Sequence, residues 1–440
     1  MVKSLSFLIL TITSLLLPFA SGQTSDSDSG AEVVSYSGFT VSTYSNYKVV
    51  KNEVTQESYC LVQDNSDHSG CSGATVITTP ATAIGVYDDN VDVIPFLELL
   101  GKANIAAVTS QNVTTSSCVQ NSSGAAATMT FSTKQKTDVY AKFVSFSGSD
   151  DQFTPLEKAA WIFYVAAFFD DETVKNAFSI FNNIESNYNC HRENLANPPN
   201  RPSIVWTKLD AVNRVFTIHT DPYFTQLSQD GAVQLSGPNR AQDPTYAISD
   251  SVQMHIFANT LSSNDARIID TSLPNVTYDN WVSQSTFFKP NKILNVSAIN
   301  NGEFYSINGL QNSAGQSDWA QRSAARPDLA LLDLVHLVYP DYSVPSGYPI
   351  WLESFESSTV PRSLSGACTN VTESIALSSC TIQPYFHTTV DTTTTLTVPE
   401  KAGVSVGTIL FVIILVIGGI WFYRRYRRKT RHNFYRMNDL

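Results

Sequence analysis

The sequence has little charge and lacks several of the short motifs that mark catalytic centres. Charged residues make up 15% of its 440 residues. It contains no phosphate-binding P-loop, no dinucleotide-binding GxGxxG pattern and no HExxH zinc motif. Each of these motifs places phosphate-binding backbone groups or metal-binding side chains at fixed positions in the chain. Its absence therefore argues against the corresponding class of enzyme. We therefore predict a protein that is not an enzyme and has no resident cofactor.

Metal-ligand spacings and positive charge are also scarce. The seven histidines form no HxH pair, and the six cysteines form no CxxC pair. Convergence of His219 and His255 in the fold stays open as a site for a bare metal ion, because neutral histidine is a common ligand of transition metals. The formal net charge of −11 disfavours nucleic acid as a partner and favours neutral or cationic ligands.

The cysteines are even in number, which is typical of disulfide bonding in an oxidising compartment. The local pairs Cys60–Cys71 and Cys368–Cys380 are the natural expectation, which leaves Cys118 with Cys190. Six cysteines allow 15 pairings, so the connectivity stays open. Asn-x-Ser/Thr sequons, each predicting a glycosylated surface loop, stand at Asn112, Asn121, Asn275, Asn295 and Asn370.

Both ends of the chain carry apolar runs. Residues 1–22 combine one lysine, a short apolar core and small residues at Ala20 and Gly22, which predicts a signal peptide. Residues 402–423 are uncharged and long enough to span a bilayer, and a basic cluster follows them at once. These features predict a single-pass type I protein of the cell membrane, with its large domain outside the cell.

The clearest local signal lies at Thr154-Pro155-Leu156-Glu157. A capping threonine, a proline at the first helical position and a glutamate three residues after the cap predict the start of a helix. No proline or glycine interrupts the following residues until beyond Cys190. We therefore expect one continuous helix of about 33 residues, or about 50 Å.

Strands and helices are expected to alternate on both sides of this helix. Residues 74–79 and 104–109 are predicted to be buried strands on either side of a helix that ends at Gly101, which indicates a βαβ unit. Residues 203–207 and 214–219 also have the composition of strands, and the spacing of apolar residues in 326–339 predicts an amphipathic helix.

Three parts of the chain carry a resemblance to a known family. They are residues 94–101 followed by 105–109, residues 154–162 running into 167–169, and residues 317–319 followed by 325–334. In their order and spacing they resemble the bacterial substrate-binding proteins whose two lobes are joined by a single helical backbone. With its predicted signal peptide, sequons and terminal apolar segment, the chain is also similar to the membrane-anchored ferrioxamine-binding receptors of mucoralean fungi.

The resemblance implies an α/β fold with two mixed lobes joined by one long helix, to which the sequence adds a C-terminal transmembrane helix. It implies a cell-surface receptor that binds a ferric hydroxamate siderophore, such as ferrioxamine, between the lobes. Iron would be present only as the bound chelate, and a surface reductase or a permease would be a further partner. A receptor for a bare metal ion, haem or cobalamin, and a glycosylated adhesin, are the alternatives. The residues expected to contact the ligand are Tyr87, Trp206, Tyr223, Trp319 and Arg322.

These expectations divide the chain into nine segments. They are a signal peptide 1–22, a disordered acidic and serine-rich segment 23–32, a first lobe 33–153, a linking helix 154–190, a second lobe 191–345, a membrane-proximal extension 346–380, a threonine-rich stalk 381–401, a transmembrane helix 402–423 and a basic cytoplasmic tail 424–440.

Overall fold

The computed structural model confirms the expected mixed α/β class. It describes residues 23–26, 32–63, 71–121, 127–133, 142–238, 244–272, 276–284, 296–355, 362–363 and 380–386. All described residues belong to one compact unit, which ends at residue 386.

The first sheet is a six-stranded meander in which neighbours in sequence are neighbours in space. Its strands are antiparallel except for the last pair, which is parallel. Gly38 forms the tight turn between the second and third strands with a φ of 86°, a conformation that favours glycine. The strands are β1 (Gln23–Asp26), β2 (Glu32–Tyr36), β3 (Phe39–Thr43), β4 (Tyr47–Asn52), β5 (Glu57–Val62) and β6 (Thr75–Thr78).

The second sheet is parallel throughout, in the order β11-β10-β7-β8-β9. Its central pair, β7 and β8, flanks helix α1 (Ile94–Leu99), so a βαβ unit is present. The first strand of that unit is β7 and not residues 74–79, because β6 pairs with β5 in the first sheet. The strands are β7 (Ile84–Val86), β8 (Ala106–Val108), β9 (Gln120–Asn121), β10 (Met129–Phe131) and β11 (Phe143–Val144).

The third sheet has seven strands in the order β15-β13-β12-β16-β17-β19, with β14 also paired to β12. Strands β12, β16 and β17 run parallel at its centre. A separate pair joins β18 (Leu310–Gln311) to β20 (Arg362–Ser363). The strands of the third sheet are β12 (Ser203–Asp210), β13 (Val215–Ile218), β14 (Gln234–Leu235), β15 (Thr245–Ala247), β16 (Arg267–Asp270), β17 (Phe304–Ser306) and β19 (Glu353–Ser354).

Helices occupy much of the rest of the described chain. Short 3-10 helices cover Asp88–Val93, Ala103–Ile105, Gln111–Val113 and Ser263–Asp265. The α-helices after α1 are α2 (Pro155–Ala159), α3 (Trp161–Ala166), α4 (Asp171–Asn194), α5 (Pro222–Asp230), α6 (Ser251–Leu261), α7 (Tyr278–Gln284), α8 (Ser297–Asn300), α9 (Asp318–Arg322) and α10 (Pro327–Val338).

The expected 33-residue helix is broken, which corrects the sequence analysis. The capping box at Thr154 and Glu157 is present and starts α2. The chain then leaves the helical path at Asp170, whose backbone is extended and whose carboxylate accepts a hydrogen bond from the Thr173 backbone N–H at 2.8 Å. Asp170 therefore caps a new helix, α4. The pattern of apolar residues did not reveal this second start because the buried Phe168 and Phe169 continue the apolar run up to it.

Two groups of core residues meet along α4. Phe181 and Ile184 pack with the first and second sheets, whereas Tyr188 packs with the C-terminal residues of the core. These residues follow at intervals of three and four, so they lie on one face of the helix. A single buried face of α4 thus contacts a first core group, drawn from residues 39–184 together with Ala325, and a second core group, drawn from residues 188–352.

Two disulfides are fully described. Cys60 is bonded to Cys71, as expected. Cys190 is bonded to Cys380, with Cα atoms 6.0 Å apart, so the expected partners of these two cysteines were wrong. The reason is the path of segment 380–386, which returns to the end of α4, where the Tyr385 N–H donates to the Asn194 carbonyl at 2.7 Å. Cys118 is also disulfide-bonded.

Most of the segments expected at the two ends of the chain lie outside the described residues: the signal peptide, residues 387–401 of the stalk, residues 402–423 and the tail. Residues 381–386, which were expected to begin the stalk, pack instead against the end of α4 and the C-terminal core. Within the part of the chain that the structure describes, no helix has both the length and the apolar character needed to cross a bilayer. That finding contradicts the predicted cell-membrane localisation, which we withdraw. At the other end, β1 occupies part of the segment 23–32 that was expected to be disordered.

Candidate functional site

A buried ion pair joins the N-terminal and C-terminal parts of the fold. Glu98 lies on α1 and Arg322 on α9, and Arg322 Nη1 is 2.6 Å from Glu98 Oε2. Arg322 Nε donates to Asp318 Oδ2 at 3.1 Å, and the Trp351 indole N–H donates to the same oxygen at 2.9 Å. Both carboxylates therefore have partners, as buried charges require.

The loop 112–116 continues this contact. The Thr115 hydroxyl donates to Asp318 at 2.6 Å, and the Gln321 amide donates to the Val113 carbonyl at 2.8 Å. The Asn312 amide donates to the Thr114 carbonyl at 2.7 Å. We call this contact the seam: it consists of Glu98 and residues 112–116 on one side, and of Asn312 and Asp318–Arg322 on the other.

Three of the aromatic residues expected to contact a ligand lie in the core behind the seam. Trp206, Tyr223 and Trp319 are at most 3% exposed. The rings of Trp206 and Trp319 stack with their centroids 5.8 Å apart, and the Tyr223 hydroxyl donates to the Ser323 carbonyl at 3.1 Å. They were named as ligand contacts because the resemblance implies a cleft between two lobes, and aromatic character alone does not separate a ring that faces a cleft from a buried one.

Tyr87 has a different setting. It follows β7 and is half-buried at the carboxyl end of the parallel sheet. Asp88 and Asp89 come next and are exposed. The Thr109 hydroxyl donates to Asp88, and the Thr133 hydroxyl donates to Asp89 at 2.8 Å. The carboxyl ends of β7, β8 and β10 thus present a tyrosine, two carboxylates and two hydroxyls together.

This group, which we call the sheet-edge cluster, is where an open parallel sheet usually binds its ligand. The sequence analysis found only Tyr87. Asp88, Asp89, Thr109 and Thr133 lie within three residues of the carboxyl ends of β7, β8 and β10, and that position is the signal that could have found them. The 3-10 helix that starts at Asp88 packs against α9, so the cluster adjoins the seam.

Lys158 on α2 forms a second polar contact beside the seam. Its ammonium lies 4.5 Å from the centre of the Tyr223 ring and 2.9 Å from the Ser149 carbonyl oxygen. Burial lowers the pKa of Lys158, and the carboxylates of Asp151 and Asp221 oppose that shift. Tyr223, the expected ligand contact, is thus occupied by the protein's own cation.

His219 and His255, the candidate ligands for a bare metal, are bound to protein atoms. His219 Nε2 lies 2.8 Å from the Thr271 hydroxyl, and His219 Nδ1 lies 3.2 Å from Asp221 Oδ2. His255 Nδ1 is 2.7 Å from the Ser251 carbonyl oxygen. Among the described residues, no three side chains of His, Cys, Asp or Glu are grouped so that they could hold a metal ion.

The carboxyl end of β16 in the third sheet is occupied by its own network. Asp270 is fully buried, and it accepts hydrogen bonds from the Thr207 hydroxyl at 3.0 Å and the Trp281 indole N–H at 2.9 Å. Burial raises its pKa to about 6. The acid at the carboxyl end of β16 is thus buried and bonded to the protein, whereas Asp88 and Asp89 beyond β7 in the second sheet are exposed.

Two of the five sequons can be placed. Asn112 is exposed and lies in a 3-10 helix at the seam, and Asn121 lies on β9. The other three, Asn275, Asn295 and Asn370, lie outside the described residues.

Comparison with known proteins gives structural neighbours only. No family model and no curated protein matches the chain. Among solved structures, the Ni(II)-bound Ceue protein of Helicobacter pylori is 12% identical with a TM-score of 0.39, over 60% of this chain and 86% of that one. A periplasmic solute-binding protein of Veillonella parvula is 10% identical with a TM-score of 0.42, over 67% and 87%. A periplasmic heme-binding protein of Pseudomonas aeruginosa is 9% identical with a TM-score of 0.41, over 64% and 100%.

These three neighbours are bacterial proteins, and two of them are named as periplasmic binding proteins. None of the three is a fungal ferrioxamine-binding receptor.

Proposed function

We propose that this protein binds a ferric hydroxamate chelate, without catalysis, at the sheet-edge cluster of Tyr87, Asp88, Asp89, Thr109 and Thr133. The observation that carries the proposal is the position of this cluster. It combines a half-buried aromatic ring with exposed carboxylates and hydroxyls at the carboxyl edge of a parallel sheet. Clefts at that edge are the usual ligand sites of such sheets.

The chemistry of the cluster suits a chelate better than a bare ion. A ferric hydroxamate brings its own iron ligands, so the protein has to supply only an apolar contact and a few polar groups. The Tyr87 ring can supply the contact. The Thr109 and Thr133 hydroxyls can bind oxygen atoms of the chelate once they turn away from Asp88 and Asp89.

Charge supports the same class of ligand. Asp88 and Asp89 are exposed, and the whole chain has a formal net charge of −11. A negative surface raises the local concentration of a cationic chelate and speeds its approach, an effect that salt weakens. A cationic hydroxamate chelate should therefore bind faster at low ionic strength than at high.

The two groups of core residues support a plan of two lobes bridged by α4, as the resemblance implies. In this plan, Glu98 and Arg322 hold the lobes together at the seam. Because breaking a buried pair is costly, we expect the lobes to move little when ligand binds. Trp206, Tyr223 and Trp319 then support the site from behind and do not touch the ligand.

The test is a calorimetric titration of the full-length protein with a panel of ligands. The panel contains a cationic and an anionic ferric hydroxamate, haem, cobalamin, Ni²⁺ and Fe³⁺. Binding of the cationic ferric hydroxamate, with weaker binding of the anionic one, is expected. Tight binding of haem, cobalamin or a bare ion with no binding of either hydroxamate would overturn the proposal in favour of that ligand.

A further inference from the structure

The seam buries half of a glycosylation sequon. An N-linked acceptor is an asparagine followed two residues later by serine or threonine, here Asn112 and Thr114. The Asn112 side chain is exposed. Thr114, by contrast, is 2% exposed, and its hydroxyl donates to Gln321 Oε1 at 3.4 Å.

The backbone of the sequon is also held by the C-terminal side of the seam. The Asn312 amide donates to the carbonyls of Asn112 and Thr114 at 3.3 and 2.7 Å. The Gln321 amide donates to the Val113 carbonyl, and its Oε1 accepts the Thr115 N–H at 3.1 Å. Every residue of the sequon therefore has at least one hydrogen bond to Asn312 or Gln321.

A glycosyltransferase that reads this motif has to reach the Asn112 amide and the Thr114 hydroxyl together. In the folded protein it can reach only the amide. To expose the hydroxyl, the loop must leave the seam and give up the hydrogen bonds of Asn312 and Gln321. The folded chain should therefore be a poor acceptor at Asn112 even though the asparagine itself faces solvent.

The order of synthesis removes this obstacle. Gln321 follows Thr114 by 207 residues. At about 5–20 residues per second, those residues take about 10–40 s to synthesise. During that time the sequon has neither Asn312 nor Gln321 to bind. We propose that Asn112 is an N-glycan acceptor that is modified only before the seam closes.

The glycan would remain compatible with the finished fold. Asn112 contacts Asn312 through its backbone carbonyl, which leaves the side-chain amide free to carry the sugar. A glycan added early would stand at the outer border of the seam. This inference does not depend on the proposed ligand.

The experiment compares Asn112 before and after folding, by mass spectrometry of the peptide that contains it. The full-length protein is made in glycosylating eukaryotic cells, and also without glycans in an oxidising bacterial host. The bare folded protein is then incubated with a purified single-subunit oligosaccharyltransferase and its lipid-linked donor. A synthetic peptide of residues 108–120 is the positive control.

We expect Asn112 to carry a glycan in the protein from eukaryotic cells, and the peptide to be modified by the purified enzyme. The glycan-free folded protein from the bacterial host should be modified at least tenfold less than the peptide. Gln321→Ala should raise the modification of the folded protein, whereas Gln229→Ala, a change at an exposed glutamine on α5, should not. A bare Asn112 in the protein from eukaryotic cells would overturn the inference. So would modification of the folded wild type at the rate of the peptide. If Gln321→Ala does not fold, the modification of Asn112 in the folded wild type relative to the peptide still tests the inference.

Discussion

The side chains of Glu98 and Arg322 are only 10% and 7% exposed, and they form an ion pair at 2.6 Å between residues that are 224 positions apart in the chain. Removing the Glu98 charge leaves Arg322 buried with Asp318 as its remaining carboxylate partner. We predict that Glu98→Gln lowers the free energy of unfolding by about 1.5–3 kcal/mol, the usual contribution of a hydrogen bond to a charged group. Urea denaturation of the purified protein measures this change.

An exposed ion pair provides the control for that measurement. Lys48 Nζ lies 2.8 Å from Asp171, whose side chain is 82% exposed. Lys48→Met should change the free energy of unfolding by less than about 1 kcal/mol. Equal losses in Glu98→Gln and Lys48→Met would show that the seam is not the buried contact described here.

Trp206 tests the assignment of the predicted aromatics to the core. It is fully buried against Trp319 and Phe224. Trp206→Ala should cost about 3–5 kcal/mol of stability because it opens a large cavity, whereas Trp206→Phe should cost less. An unchanged denaturation midpoint for Trp206→Ala would indicate that this ring faces a cleft after all.

The break before α4 has its own test. Asp170 accepts the Thr173 N–H, so Asp170→Ala should lose about 1 kcal/mol of stability. Glu172→Ala removes a neighbouring exposed acid that does not occupy the cap position, and it should cost less. If the two variants were equally stable, Asp170 would not be acting as a cap.

His191 should make stability depend on pH. It is buried on α4 with Nδ1 2.8 Å from the Tyr342 hydroxyl, and burial lowers its pKa from 6.5 to about 4. The folded protein then binds fewer protons than the unfolded chain between about pH 4 and 6.5, so stability falls as the pH falls through that range. Wild type should lose up to about 3 kcal/mol from this residue by pH 4.

The variant His191→Gln isolates that contribution. It cannot take up the proton, so the difference in unfolding free energy between wild type and variant should shrink as the pH is lowered from 7 to 4. Urea denaturation at pH 7, 5.5 and 4.5 measures it. A difference that is constant with pH would show that His191 has an ordinary pKa in the folded state.

Local chemistry was the part of the fold that the sequence predicted well. The capping box at Thr154 and Glu157, the Cys60–Cys71 bond and the helix up to Gly101 involve residues close together in the chain. The sheet that β6 joins depends on which of several strands it meets in the folded protein, and the bond between Cys190 and Cys380 joins segments 190 residues apart. A single sequence does not carry that information.

The candidate site shows the same division. Among the aromatic residues expected to contact a ligand, Tyr87 lies at the sheet-edge cluster, but aromatic character alone could not show that Trp206 and Trp319 pack against each other. The sequence analysis considered Arg322 as a contact to a ligand. In the structure its partner is Glu98, which belongs to the N-terminal part of the fold. Contacts of this kind become visible only once the tertiary structure is known.

The most direct test of the account is the affinity of full-length protein for a cationic ferric hydroxamate after Tyr87→Ala, measured by calorimetry. The matched control is Tyr44→Ala, which changes another half-buried tyrosine, stacked on Tyr47 in the first sheet. We predict that Tyr87→Ala weakens binding about tenfold, or about 1.4 kcal/mol, while Tyr44→Ala leaves it unchanged. No binding by the wild type, or equal affinity in wild type and Tyr87→Ala, would contradict a chelate site at the sheet-edge cluster.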